Sequence, residues 1–200
     1  WDVVAISDEI YEHIIYDGHR HVPIATIDGM ADRTVTINSL SKTFSVTGWR
    51  VGWTISPPSL TGAIRKVHDF LTVGAPAPLQ EAVAAACRFG DPFYSKLQAD
   101  YAERRARIVP ALNEIGFKCA IPGGAYYVMT DFSSLAKEPD TILAQRLIDE
   151  AGVAAVPGSS FYKDPSHGAH QIRFCFPKKL ETLDEAATRL REWAAKQKKR

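Results

Sequence analysis

The sequence predicts an α/β unit over residues 1–92 followed by an α+β unit over residues 93–200, and three observations carry that reading. In the first part, short β-branched runs alternate with turn-rich segments, and the runs are apolar enough to be covered by helices on both faces. From Ser59, apolar residues recur every three to four positions. Beyond Gly116, short strands alternate with helices that carry their own start and stop signals.

Val3 to Ser7, Thr34 to Ser39 and Arg50 to Ser56 read as strands, with Pro57-Pro58 closing the third. Leu60, Ile64, Val67, His68 and Leu71 mark a helix, and Leu79 to Arg88 a second, alanine-rich one that ends near Gly90. Asp91-Pro92 has the form of a helix start. Phe93, Leu97, Tyr101, Ile108, Leu112 and Ile115 mark the buried side of this long helix, with Pro110 bending it and Gly116 stopping it. The domain boundary is placed on this helix. Strands follow at Phe117 to Ala120, Ala125 to Thr130, Val153 to Val156 and Gln171 to Phe176, with helices at Thr141 to Ala151 and Leu183 to Lys196. Asp140 is the expected cap of the first of these helices and Gly152 its end. Thr182-Leu183-Asp184-Glu185 reads as a capping box for the second, and Tyr162 to Ala169 as a loop.

Lys and Arg number 24 against 23 Asp and Glu, so a formal charge of +1 gives no general field for nucleic acid or an anionic membrane. Cys87, Cys119 and Cys175 form no CxxC pair, which argues against zinc and a disulfide framework and suits a reducing cytoplasm. No apolar run is long enough to span a membrane. Six histidines show no metal-ligand spacing, so no metal is expected, and His19-Arg20-His21 reads as a solvated turn. The Arg104-Arg105-Ala106-Arg107 cluster reads as a solvated helix face, and Lys196 to Arg200 as a solvated tail.

The segment with chemical content is Ser39-Leu40-Ser41-Lys42-Thr43-Phe44-Ser45-Val46-Thr47-Gly48-Trp49-Arg50-Val51-Gly52. A lysine amine becomes a nucleophile where its surroundings hold it partly deprotonated. Two serines and an arginine beside it suit a phosphate. Phosphate, lysine and carbonyl chemistry together point to pyridoxal phosphate. Asp8 and Lys42 follow directly after the first two predicted strands, at the ends where open α/β sheets place ligands.

This run resembles the lysine signature of the class I/II aminotransferases, the fold-type-I pyridoxal phosphate enzymes. Ser7-Asp8-Glu9-Ile10-Tyr11, Pro122-Gly123-Gly124-Ala125-Tyr126-Tyr127, Val156-Pro157-Gly158-Ser159-Ser160-Phe161 and Gln171-Ile172-Arg173-Phe174 resemble further family landmarks in the same order. His21-Val22-Pro23-Ile24-Ala25 and Thr43 to Trp49 are most similar to the aspartate, aromatic and kynurenine types. The resemblance implies that the chain is the C-terminal part of a fold-type-I large domain, with a mostly parallel sheet covered by helices, followed by the α+β small domain. No initiator methionine is present, and nothing resembles the upstream glycine-rich phosphate turn. The expectation is therefore the C-terminal half of a longer enzyme, inactive by itself.

By the same resemblance, Lys42 holds the cofactor covalently and serves as base and acid on the substrate. Asp8 pairs with the pyridinium nitrogen and Tyr11 with the phenolic oxygen, while Ser39, Ser41 and Arg50 bind phosphate. Arg173 clamps the substrate carboxylate and Tyr126 lines the pocket. Period two alone puts Gln171, Arg173 and Cys175 on one strand face and Ile172, Phe174 and Phe176 on the other. The implied activity moves an amino group between an amino acid and a 2-oxo acid, in a cytoplasmic homodimer. Two alternatives stay open: a carbon–sulfur or other β-eliminating lyase on the same scaffold, and a ligand-sensing domain of a transcription regulator.

Overall fold

The computed structural model describes residues 2–197, so Trp1 and the last three residues of the basic tail lie outside the described part. Contacts divide the chain into two compact units, Trp1–Gln98 and Ala99–Arg200.

In the first unit, β1 (Ala5–Asp8), β2 (Thr34–Ser39) and β3 (Gly52–Ile55) form a sheet in that order. β1 and β2 run parallel, which brings Asp8 level with Ile37 near the C-terminal end of β2. β3 joins β2 antiparallel, with Gly52 opposite Ser39, so the described sheet is mixed. The close pass has a steric cause. A Cβ on Gly52 would sit 2.8 Å from the Asn38 carbonyl oxygen and 3.0 Å from Ser39 Cβ, so only glycine lets β3 start against the end of β2. Two helices follow, α1 (Pro58–Leu71) and α2 (Ala77–Ala86). The three-to-four spacing correctly marks α1 as a helix, yet none of its residues is buried, and Val67, Phe70 and Leu71 are exposed.

Helix α3 (Asp91–Ile115) continues through Pro110. In the second unit, β4 (Tyr127–Asp131), β5 (Val156–Pro157) and β6 (Gln171–Cys175) form an antiparallel sheet in the order β4-β6-β5, with α4 (Asp140–Ala151) and α5 (Leu180–Gln197). Ile172, Phe174 and Phe176 are buried as the two-residue period requires. They share a core with Phe117, Leu147, Leu190 and Trp193, in which Phe117 meets Phe174 edge-on at 5.2 Å and stacks on Trp193 at 6.2 Å.

Several local expectations are corrected. The expected strand at Phe117 to Ala120 is reduced to one bridge between Lys118 and Asp131, and the Val153 to Val156 strand shifts to Val156–Pro157. The Thr182 capping box is not used, because α5 starts at Leu180 and the Thr182 N–H already donates to the Lys179 carbonyl. Asp140 opens α4 but caps nothing there; its Oδ2 accepts the Ser159 N–H at 2.7 Å. Gly152 does end α4, at φ +66°. The segment from Tyr162 to Ala169 holds a 3-10 turn, Pro165–Gly168, started by the Asp164 carboxylate accepting from the Ser166 N–H. The Arg104 to Arg107 cluster is only in part a solvated face. Arg105 is buried and donates to the Pro122 carbonyl at 2.7 Å, Arg104 donates to the Lys178 carbonyl, and Arg107 pairs with Asp184.

Candidate active site

Lys42 lies on the turn that follows β2. The turn is anchored by buried Leu40, Thr43 and Val51, while Phe44 stacks on Phe93 at 4.9 Å and meets Phe89 edge-on at 5.7 Å. Its curl is held by polar bonds. The Thr47 hydroxyl donates to the Ser41 carbonyl at 2.9 Å, and Arg50 Nη1 donates to the Thr47 carbonyl at 3.1 Å. Ser45 and Arg50 both adopt left-handed backbone, each at φ +56°. Side chains with a Cβ seldom sit there, and such strain clusters at sites where geometry is over-determined.

Within the first unit, a cleft of about 660 Å³ is lined by Asp8, Asn38, Ser39, Ser41, Lys42, Thr47 and Arg50, with Trp53 and His68 among the other walls. The Asp8 carboxylate, the Lys42 amine, the Ser39 and Ser41 hydroxyls and the Arg50 guanidinium thus line a single cavity. The hydroxyls and guanidinium suit a phosphate, the amine suits a carbonyl carbon, and the carboxylate suits a protonated ring nitrogen. Asp8 is exposed, and its Oδ1 accepts the Ile10 N–H at 3.2 Å. Ser39 Oγ accepts the Ser41 N–H at 3.1 Å. Tyr11 is half-buried on the turn three residues after Asp8 and is not among the described residues lining the cleft.

Arg173 and Tyr126 belong to the second unit. Arg173 lies on β6 opposite Met129 and Val156, its guanidinium over the rings of Phe161 at 4.4 Å and Tyr127 at 5.1 Å. Among the described residues, its Nε is the buried side-chain nitrogen left without a hydrogen-bond partner. Tyr126 instead stacks on Tyr101 at 5.9 Å.

A polar network around the turn after β1 had no motif to reveal it. Glu9, 4% exposed, accepts from the Ser7 hydroxyl, the Ile24 N–H and His21 Nε2. Burial pushes its carboxyl up, but the hydrogen bonds from His21, Ser7 and Ile24 together outweigh burial and hold it below its ordinary value. His21 is therefore part of this network, not a solvated turn residue. Glu12 accepts from Asn38 Nδ2, and the His13 ring lies tilted against Tyr94 with centroids 4.1 Å apart. Glu9, Glu12 and His21 bring their donor atoms within 4.8 Å of one another, a grouping of metal-ligand type whose atoms are here engaged by protein donors.

Comparison with known proteins gives the family of the chain. Residues 2–190 match the family described as aminotransferase class I and II. The chain belongs to that family. It is 39% identical over 198 residues to a probable N-succinyldiaminopimelate aminotransferase of Mycobacterium tuberculosis, covering 94% of this chain and 50% of that protein. To kynurenine–oxoglutarate transaminase 1 of Homo sapiens it is 38% identical over 212 residues, covering 96% and 50%. The solved N-succinyldiaminopimelate aminotransferase from Mycobacterium tuberculosis superimposes with a TM-score of 0.90 at 39% identity, over 94% of this chain and 49% of that one. YbdL from Escherichia coli, whose structural study identifies a methionine aminotransferase function, gives a TM-score of 0.88 at 37% identity, over 96% and 50%. The chain thus spans about half the length of these relatives, and its fold is that of the matching half of fold-type-I aminotransferases.

Proposed function

We infer that the protein is a pyridoxal-phosphate-dependent aminotransferase that moves an amino group between an amino acid and a 2-oxo acid. The observation that carries this reading is the convergence of Lys42, Asp8, Ser39, Ser41 and Arg50 on one cleft in a chain of this family. The residues fit the cofactor: glycine at position 52 brings the start of β3 against the Ser39 end of β2, so the hydroxyls and guanidinium face one space. When bound, pyridoxal phosphate supplies an electron sink for negative charge at the amino acid's α-carbon.

The chain's own residues do the rest. Ser39, Ser41 and Arg50 bind the phosphate by hydroxyl and planar guanidinium donors. Asp8 holds a proton on the ring nitrogen, and Tyr11 donates to the phenolic oxygen. Lys42 would hold the cofactor and, once the substrate's amine has displaced its own amine from it, would move a proton at the substrate α-carbon, first as base and then as acid. In the second unit, Arg173 takes the substrate carboxylate, a pairing supported by its partnerless buried Nε. Tyr126 supports that unit through Tyr101. A homodimer in the cytoplasm completes the proposal; no described helix is long and apolar enough to cross a membrane.

Borohydride reduction of the cofactor-loaded intact protein, followed by peptide mass mapping, is expected to label Lys42. A label on another lysine would overturn the assignment. Turnover should require a 2-oxo acid; release of keto acid and ammonia without one would favour an eliminating lyase.

A further inference from the structure

Asn38 is the penultimate residue of β2 and is 6% exposed. A buried side-chain amide is costly unless both of its ends are partnered, and here both are. Nδ2 donates to Glu12 Oε1 at 2.5 Å, and Oδ1 accepts the Ser39 backbone N–H at 2.7 Å. Because a carboxylate can only accept, Glu12 dictates which end of the amide faces it and turns the carbonyl end toward Ser39. The chain of bonds continues as Ser39 Oγ accepts the Ser41 N–H, which leaves the Ser39 hydroxyl hydrogen to be donated elsewhere. Both Asn38 and Ser39 line the cleft.

Glu12 is itself held in place. Its N–H donates to the Glu9 carbonyl at 3.0 Å, and the Glu9 side chain is fixed by Ser7, His21 and the Ile24 N–H. The Glu12–Asn38 bond, between residues 26 apart in sequence, therefore ties the turn that carries Tyr11 and follows Asp8 to the strand end that carries Ser39.

We propose that Glu12 and Asn38 are positioning residues for phosphate binding. Glu12 sets the Asn38 amide, Asn38 sets the Ser39 backbone, and the Ser39 hydroxyl is thereby presented to the cofactor's phosphate. This rests on the cofactor reading above. A cross-link that merely stabilises the fold affects every ligand of the cleft alike, whereas a positioning device for the phosphate acts only on a ligand that has one.

The test compares pyridoxal 5'-phosphate with pyridoxal, titrated by absorbance into the intact protein and its variants. Glu12→Ala and Asn38→Ala should each weaken pyridoxal 5'-phosphate at least about tenfold, as expected for unpartnered buried groups, and shift pyridoxal by less than about threefold. The double variant should be within about threefold of the weaker single, because both residues act through one chain of bonds. Asn38→Thr suits a strand and keeps a hydroxyl but cannot reach both partners, so it must show the same split even if an alanine variant does not fold. Equal losses for the two ligands, or an unchanged affinity for the phosphorylated one, would overturn the proposal. If the unsubstituted protein itself binds pyridoxal 5'-phosphate no better than pyridoxal, the cofactor reading falls, and this proposal with it.

Discussion

At Arg173, a buried guanidinium nitrogen without a hydrogen-bond partner lies in a side chain flanked by two aromatic faces. The rings orient the planar group and lower its exposure to water, which strengthens any pairing with a carboxylate. Arg173→Ala in the intact protein should lower kcat/KM for amino acid and keto acid alike by about 2–5 kcal/mol and leave cofactor occupancy unchanged. Steady-state kinetics with both substrates reads this; normal kinetics in a folded variant would remove Arg173 from the site. Glu9 gives a second prediction. Its carboxyl is held below the ordinary 4.5 in the folded state, so the stabilisation is complete above that value and is lost as pH falls through the folded value. Denaturant unfolding of Glu9→Gln should show a flatter stability curve below about pH 4.5 than the unsubstituted protein. Parallel acid limbs would show that the Ser7–Glu9–His21 contacts contribute nothing.

Among the elements, the junction of β2 and β3 decides the site. Position 52 has no room for a Cβ against the Asn38 carbonyl and Ser39. Gly52→Ala must therefore push the two strand ends apart, moving Ser39 while leaving the second unit untouched. The expected outcome is weakened pyridoxal 5'-phosphate binding and a loss of about 1–3 kcal/mol, the range typical of overpacking. A cofactor titration and a denaturant melt check both, and an alanine variant with unchanged values would show that β3 yields freely. The helices were read from sequence more securely than the strands. α1, α3, α4 and α5 carry periodic or capped patterns over 12 residues or more, whereas β5 has two residues, too few for alternation to register. Where a start signal misled, as at Thr182, a competing bond one turn earlier had already begun the helix.

For the whole molecule, the first unit's sheet of three described strands leaves Val3, Val4, Ile6 and Ile55 exposed, along with Val67, Phe70 and Leu71 of α1. Apolar surface of that extent on a sheet and helix favours association or aggregation in water. The second unit has a core of fully buried large side chains, among them Phe117, Phe132, Leu190 and Trp193, whose indole N–H donates to Glu150 at 2.9 Å, though Ile121, Ile142 and Ile148 at its surface are exposed. Residues 1–200 expressed alone should therefore show little or no transaminase turnover, with slow hydrogen exchange concentrated in residues 99–200. Exchange measured by mass spectrometry and an amino-transfer assay test this together. Robust turnover, or equally slow exchange throughout residues 1–98 in a monomer, would contradict it.

Sequence by itself determined the family, the order of the helices and the cluster of Ser39, Ser41 and Arg50 beside Lys42, because those features depend on local spacing: hydroxyls two positions apart, an arginine eight positions on, apolar residues every two or every three to four. The arrangement that joins Glu9 to His21 and Glu12 to Asn38 depends on pairings 12 and 26 residues apart, which no local period encodes. The same holds for Tyr127, which flanks Arg173 because the register of β4 on β6 brings that tyrosine to the guanidinium's strand face. The pairing of buried Arg105 with the Pro122 carbonyl likewise joins residues 17 apart. Only tertiary structure could decide these, since whether a polar side chain is solvated or held depends on the partner that folding brings to it.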